Sequence, residues 1–189
     1  GSIPENAPRV TQQVDVDTAV SRWHSTGLYA VPGEIVTITI PESHVSEGWT
    51  VRVNGHVDNI SSRSNWKRVP FGVSREYALD QTSIVVANAF GGALYIDVGD
   101  TPPNIGTVQL EIAGAIQAPT FVLGTTTDNE WQTTLRDYPG PQAEFVSYGL
   151  AWSVPSSFIR TLDNPTEVMT LWQDAVDQMD YVGNYESLR

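Results

Sequence analysis

The sequence predicts a mainly β protein, an antiparallel β-sandwich followed by a smaller α/β segment that ends in an amphipathic helix. Three observations support this fold class. Short runs of alternating apolar and polar residues recur between residues 27 and 117, turn residues separate these runs, and a long helical pattern follows residue 164. Short strands at regular spacing, with turn chemistry between them, are typical of a sandwich.

The strand predictions depend on side-chain alternation. Residues 35–40 alternate between two faces and are almost entirely β-branched, which suits a pleated surface. Gly91-Gly92 lies where a hairpin turn is expected, and residues 99–106 have the composition of a loop. The other predicted strands cover residues 49–57, 75–79, 83–90, 93–98 and 107–115.

The C-terminal helix has start and stop signals. Asn164 can cap it, Pro165 fits its first position, Glu167 completes a capping pattern, and Gly183 is expected to end it. A short helix is also expected to begin at Pro155. One stripe of the long helix is apolar and needs a partner surface. It contains Val168, Leu171, Trp172, Ala175, Val176 and Met179.

We expect three segments along the chain. Residues 1–22 form a flexible lead-in, residues 23–117 the sandwich, and residues 118–189 the smaller α/β segment. Gly1-Ser2 resembles the remnant of a removed tag, and the sequence stops directly after the helix. Both features favour an excised fragment of a longer protein.

Composition excludes several classes of partner and site. The 189 residues carry a net charge of -12, so the protein repels phosphate backbones and nucleic acid is not an expected partner. The absence of cysteine excludes disulfides and thiolate metal sites. No apolar run approaches the roughly 20 residues that span a bilayer, and the sequence contains no signal peptide.

Catalytic motifs are absent from the sequence. The chain contains no H-E-x-x-H, no nucleophile elbow, no P-loop and no dinucleotide fingerprint. His56 and Asp58 would share a face if they lay on a strand, which permits a metal or a hydrogen bond. Two ligands are too few for a site, so a histidine held by a neighbouring carboxylate near a strand end is the simpler interpretation.

One basic and aromatic cluster stands out in this acidic chain. Residues 61–75 contain Trp66 together with four of the ten basic residues. These are Arg63, Lys67, Arg68 and Arg75. A tryptophan flanked by cations can stack on a sugar ring and pair with sulfate or sialate. Trp66, Arg63, Lys67, Arg68, His56 and Asp58 are therefore the candidate glycan-binding residues. The alternative is that Trp66 closes one end of the sandwich while the cations stay in solvent.

Five segments share order and spacing with a known family. They are STGLYAVPGEIVTITIPE (25–42), VRVNGHVDN (51–59), WKRVPFGVSREYAL (66–79), ANAFGGALYIDV (87–98) and VPSSFIRTLDNPTEVMTLWQDAVDQMDYVGN (154–184). Together they resemble the start of the enhancin-like, mucin-degrading zinc metallopeptidases, gluzincins that are secreted and cleave glycoproteins. The resemblance covers roughly residues 23–186.

This resemblance implies a sandwich joined to a zincin-like peptidase domain that begins near residue 118. Zinc would be held by the two histidines of an H-E-x-x-H helix and a downstream acidic residue, and would activate water. Since that motif is not in this chain, we expect no catalytic residue, no metal ligand and no proteolysis from it alone. Zinc and the C-terminal catalytic domain belong to the full-length parent, which we expect to be secreted or at the cell surface.

The resemblance also implies how the sandwich begins. Residues 28–30 would form a first strand, Pro32-Gly33 its turn, and residues 34–40 the returning strand of a hairpin. Trp23, His24 and Tyr29 would then be packing and edge residues of that hairpin.

Three functional hypotheses remain open. The chain is the non-catalytic front part of a metallopeptidase that cleaves mucin-like O-glycoproteins, and it orients the catalytic domain and contacts glycan. Alternatively it is a stand-alone carbohydrate-binding or adhesion module whose site surrounds Trp66. The third hypothesis is a packing domain without a ligand.

Overall fold

The computed structural model describes residues 2–67, 69–101 and 103–183. The chain divides into two compact units, one formed by Glu5–Gln117 and a second that begins at Ala118. In the described residues the first unit is built from strands, and the second combines strands with two α-helices. The predicted mainly β fold class, with a smaller α/β segment after the sandwich, is confirmed.

Antiparallel strands in two sheets build the first unit. They are β1 (Val10–Asp17), β2 (Trp23–Ala30), β3 (Val36–Thr39), β4 (Thr50–Val53), β5 (Arg75–Ala78), β6 (Ser83–Val86), β7 (Gly92–Asp97) and β8 (Thr107–Gln117). One sheet has the order β1-β8-β3-β6 and the other has the order β5-β4-β7-β2-β8. β8 belongs to both sheets, since its longer first part pairs with β1 and β3 and its last residues pair with β2.

β8 changes sheets at Gly114. This glycine has a φ of 94°, and the pairing register of β8 with β1 shifts there, between Val10 and Thr11. A Cβ at this position would lie 2.8 Å from the carbonyl oxygen of Ile35. Glycine meets both the left-handed backbone and the close approach, so the bulge lets one strand join two sheets.

Side chains from both sheets meet in one apolar core. Trp49, near the start of β4, and Leu79, just after β5, are also fully buried in it. Burial of one such side chain stabilises the fold by about 1.5–3 kcal/mol, so this cluster dominates the stability of the unit. The strand residues of the core include Val14, Val16, Leu28, Ala30, Val36, Ile38, Val51, Val53, Leu94, Ile96, Val108, Leu110 and Ile112.

Two predicted hairpins are wrong. β2 and β3 flank Pro32-Gly33, but β2 pairs with β7 and β8 whereas β3 pairs with β6 and β8. Gly91 lies between β6 and β7, Gly92 is the first residue of β7, and these two strands also lie in different sheets. Both turns therefore cross between the sheets, because turn residues locate a reversal without choosing the partner of a strand. Trp23 and Tyr29 consequently lie on an interior strand rather than on an edge.

Residues 10–17 are part of the sandwich rather than of a flexible lead-in over residues 1–22. β1 pairs with β8 along its length, and Val14 and Val16 are buried. The expectation is wrong there because glutamine and aspartate occupy the solvent-facing positions, which leaves the run with few apolar residues.

The second unit is organised around a central strand. Its elements are β9 (Thr120–Val122), α1 (Asp128–Thr133), β10 (Gln142–Ser147), β11 (Leu150–Pro155) and α2 (Pro165–Gly183). β10 pairs in parallel with β9 and antiparallel with β11. Phe121, Trp131, Ala143, Phe145, Ile159 and Met169 form a separate apolar core. The short helix expected at Pro155 is a single 3-10 turn, Ser156–Phe158.

A capping box starts α1. The N–H of Glu130 donates to the hydroxyl of Thr127 at 3.2 Å, and the N–H of Thr127 donates to the Glu130 carboxylate at 2.8 Å. The backbone hydrogen bond from Thr127, followed by the bond from its hydroxyl, holds the pKa of Glu130 below its usual value.

The predicted C-terminal helix is confirmed as α2. The N–H of Thr166 in its first turn donates to the carboxylate of Asp128 at 3.0 Å, so α1 supplies an acceptor for the start of α2. The side chain of Asn164, the expected cap, donates instead to Glu167. Among the described residues, no helix has the length and apolar content that crossing a membrane requires.

Candidate functional site

The candidate glycan-binding residues lie in one long loop between β4 and β5. This β4–β5 loop covers residues 54–74, and Arg68 lies outside the described residues. Asn54 has a φ of 76° and ends β4 earlier than predicted. His56 and Asp58 therefore lie in the loop, both exposed, and the predicted shared strand face is wrong.

Backbone hydrogen bonds fold the β4–β5 loop back on itself. The N–H groups of Val73 and Ser74 donate to the carbonyl of His56 at 3.0 and 3.1 Å, and the N–H of Ile60 donates to the carbonyl of Pro70 at 2.7 Å. These bonds form a stem, beyond which residues 61–67 and 69 belong to the tip of the loop.

A buried carboxamide fastens the stem to the sandwich. The Nδ2 group of Asn88 donates to the carbonyl of Val53 at 3.1 Å and to that of Val73 at 2.7 Å. Its Oδ1 accepts from the N–H of Phe90 at 2.9 Å. One side chain thus joins the end of β4, the stem of the loop and the turn after β6, and satisfies polar groups that the core would otherwise leave unpaired.

An apolar cleft lies beside the stem. It has a volume of about 210 Å³ and is lined by Val69, Phe71, Val73, Phe90 and Arg75, among others. Phe71 is 58% exposed and Phe90 is 52% exposed, so two aromatic rings face solvent here. The cleft and the tip of the loop form one candidate binding surface.

Trp66 is at the tip of the loop. It is 55% exposed, so it does not close the end of the sandwich, whereas Trp49 is buried in the apolar core. Arg63 and Lys67 are exposed on the same tip. The structure thus brings Trp66, Arg63 and Lys67 together on one loop tip, with His56 at the stem and Asp58 next to it.

The cations of this surface differ from the other arginines in their partners. Five arginines elsewhere form ion pairs, namely Arg9–Glu34, Arg22–Asp100, Arg52–Glu76, Arg136–Asp163 and Arg160–Asp137. Within the described residues, Arg63, Lys67 and Arg75 form no ion pair and no side-chain hydrogen bond. Their charge is available to an anionic partner.

Trp23, the first residue of β2, packs against Arg52 of β4 and Tyr95 of β7. The guanidinium of Arg52 lies 4.6 Å above its ring centroid, and the ring of Tyr95 lies 5.4 Å away. Arg52 is itself fixed by Ser74 at 3.0 Å and by an ion pair with Glu76. These contacts agree with the packing role expected for Trp23.

The described residues do not suit zinc. Among them, no three histidine, aspartate or glutamate side chains come together as potential ligands. His56 and Asp58 therefore lack the further donors that a tetrahedral site needs.

A second exposed surface lies on α2 in the second unit. The ring of Trp172 contacts that of Trp152 on β11, with centroids 4.3 Å apart. Two other members of the apolar stripe face solvent, Leu171 at 67% exposed and Met179 at 71% exposed, whereas Val168, Ala175 and Val176 are partly buried. Tyr181 and Val182 extend the same exposed end of the helix.

Comparison with family models identifies the chain. Residues 5–112 match the N-terminal domain of M60-like peptidases, and residues 114–188 match peptidase M60, enhancin and enhancin-like. The chain belongs to the M60-like peptidase family. The boundary between the two matches lies close to that between the two compact units of the structure.

Curated relatives of this M60-like chain include the TRPM8 channel-associated factors. Factor 1 of Bos taurus is 31% identical over 182 residues, which is 95% of this chain. The chain spans 19% of the length of that relative, so the activity of the whole relative does not transfer to it directly.

Solved M60 metallopeptidases share the fold. IMPa of Pseudomonas aeruginosa, solved in complex with T-antigen, has a TM-score of 0.66 and 17% identity, over 85% of this chain and 19% of that chain. The M60 catalytic domain of Clostridium perfringens ZmpC, solved with the sialyl T antigen, has a TM-score of 0.63 and 14% identity, over 84% and 35%.

Substitution of Asn88 tests whether its side chain fastens the β4–β5 loop to the sandwich. Asn88→Ala leaves the carbonyls of Val53 and Val73 without this donor, so the free energy of unfolding should fall by about 2 kcal/mol. Urea denaturation measures this change.

Asn59→Ala is the matched control, because Asn59 lies in the same loop and its side chain, among the described residues, accepts from the exposed N–H of Ser61 alone. It should cost less than about 0.5 kcal/mol. Equal losses in the two variants would show that Asn88 does not fasten the loop.

Proposed function

We propose that this chain is the non-catalytic N-terminal portion of a larger zinc metallopeptidase, in which it holds the catalytic domain in place. Family membership supports the class of protein. Since H-E-x-x-H is not in residues 1–189, we assign no catalytic residue and no zinc ligand to the chain. The zinc of the parent, its mucin-type substrates and its secreted or cell-surface location are parts of this proposal.

The exposed apolar end of α2 is the observation that carries the proposal. Leu171, Met179 and Val182 occupy a helix that is already packed on its own unit through Met169 and Trp172. Large apolar side chains grouped on one exposed face mark an interaction surface. Each would contribute about 1.5–3 kcal/mol if a partner covered it fully.

The rest of the peptidase domain is the partner that fits this face. α2 lies within residues 114–188, the stretch that matches the peptidase model. The chain spans 35% of the M60 catalytic-domain chain of ZmpC, so that protein contains much further sequence. We infer that such sequence packs on Leu171 and Met179 in the parent.

Substitutions on α2 test this inference. Leu171→Lys with Met179→Lys should leave the stability of the isolated chain within about 0.5 kcal/mol, because both side chains are exposed. The variant should also show less self-association at high concentration, measured by light scattering. In the longer protein, the same pair should lower the free energy of unfolding by several kcal/mol, because cationic heads would be buried without partners.

Thr170→Lys is the control, since it adds a cationic side chain at an exposed polar position of α2 that lies about 100° around the helix from Leu171. A longer protein that tolerates the Leu171→Lys and Met179→Lys pair as well as it tolerates Thr170→Lys would contradict the proposal.

Glycan contact through the β4–β5 loop is a second candidate function. Trp66 is exposed beside cations that have no partner among the described residues, and related M60 folds have been solved with T-antigen and sialyl T antigen. On this hypothesis Trp66 stacks on a sugar ring while Arg63 and Lys67 pair with its acidic groups.

Trp66→Ala should then weaken binding to sialylated or sulfated O-glycans by at least about tenfold, measured by glycan array and calorimetry. Tyr181→Ala removes an exposed ring from α2 and should leave glycan binding unchanged. Binding that both variants retain would exclude Trp66 as the sugar platform.

A further inference from the structure

The candidate surface is more apolar than sugar binding requires. Besides Trp66, four large apolar side chains on the β4–β5 loop and the turn after β6 are exposed. They are Val57, Val69, Phe71 and Phe90. Single exposed apolar residues are ordinary, but Val69, Phe71 and Phe90 line one cleft next to the loop tip that carries Trp66. This grouping points to an apolar partner.

The same surface is the basic region of an acidic protein. Residues 55–75 contain four basic residues and one acidic residue, Asp58, whereas the whole chain has a net charge of -12. Arg63, Lys67 and Arg75 have no partner within the described part of the chain, so their charges do not serve to hold the fold together. A cluster of available cations favours a partner that is anionic as well as apolar.

The polar groups of the cleft do not suit a sugar. Hydroxyl groups of a sugar need donors and acceptors, yet the Asn88 side chain is buried and bonded to the backbone of the protein. Among the residues that line the cleft, Arg75 is the charged one. Phenylalanine and valine side chains with arginine nearby instead match the boundary between headgroups and acyl chains of a lipid layer.

We propose that the β4–β5 loop docks on an anionic lipid surface. Trp66, Phe71 and Phe90 enter the boundary between headgroups and acyl chains, as aromatic residues do in membrane-interface belts. Arg63, Lys67 and Arg75 pair with the anionic headgroups. This inference concerns a peripheral contact and does not depend on the proposed role of α2.

The net charge of the chain sets the conditions under which docking occurs. Acidic residues outside the loop repel an anionic surface, but at 0.1 M salt charges beyond about 10 Å are largely screened. Docking should therefore need anionic lipid. It should weaken in high salt, because salt then also screens the attraction between the three cations and the headgroups.

Vesicle flotation tests the proposal with the chain as it stands. We expect binding to phosphatidylcholine vesicles that contain about 30% phosphatidylserine, and at least about tenfold weaker binding to pure phosphatidylcholine. Trp66→Ala with Phe71→Ala should weaken binding at least about tenfold, and Arg63→Gln with Lys67→Gln should weaken it to a similar extent.

Two controls match these variants. Phe158→Ala removes a ring that is 77% exposed in the second unit, and Arg22→Gln removes an exposed cation of the sandwich that pairs with Asp100. Both should bind vesicles like the unaltered chain, and circular dichroism should show every variant folded.

Two outcomes would overturn the proposal. One is that the unaltered chain does not bind the anionic vesicles. This outcome includes the case in which the chain binds sulfated or sialylated glycans instead and the loop variants lose that binding. The other is vesicle binding that the loop variants and the controls retain equally. Neither outcome bears on the α2 experiments, so failure here is distinguishable from failure of the proposed function.

Discussion

The sandwich depends on one strand that serves two sheets. β8 pairs with β3 and with all but the first residue of β1 before Gly114, and with β2 after it. A side chain at Gly114 would collide with the backbone of Ile35. From β2 the pairing continues through β7 to β4, whose end starts the β4–β5 loop. The position of the candidate surface therefore follows from the bend in β8, and Asn88 then fixes the loop against the sandwich.

Sequence reasoning located most elements, because alternation and helical spacing are local properties. β3 to β6 and α2 lie within the predicted ranges, and β7 and β8 differ from theirs by one or two residues at an end. Both predicted hairpins are nevertheless wrong, since strand partners depend on the whole fold. The sequence leaves residues 14–23 open between a short helix and a strand, because the exposed face of β1 is polar. The candidate residues fall on one loop. The bonds of Asn88, and the lack of partners for Arg63, Lys67 and Arg75 among the residues that the structure describes, are tertiary features that no motif encodes.

Two exposed surfaces, one on each unit, give this M60-like chain its proposed roles. The exposed end of α2 presents large apolar side chains, and acidic residues occupy other positions of the helix. α2 belongs to the segment that matches the peptidase model. The β4–β5 loop is apolar and basic, and belongs to the segment that matches the N-terminal domain. Chemistry of a zinc peptidase would require residues outside this chain, since H-E-x-x-H is not in its sequence. On the proposed function, its own residues supply packing and contact surfaces.

The most direct measurement is hydroxyl-radical footprinting of α2, in the isolated chain and in the longer protein that contains the remaining peptidase sequence. Met179 is 71% exposed here and reacts readily with radicals, whereas Met169, on the buried side of the same helix, is an internal control. The account predicts strong labelling of Met179 in the isolated chain and at least about fivefold protection in the longer protein. Equal labelling of Met179 in the two proteins would contradict the claim that α2 is the docking face for the peptidase domain.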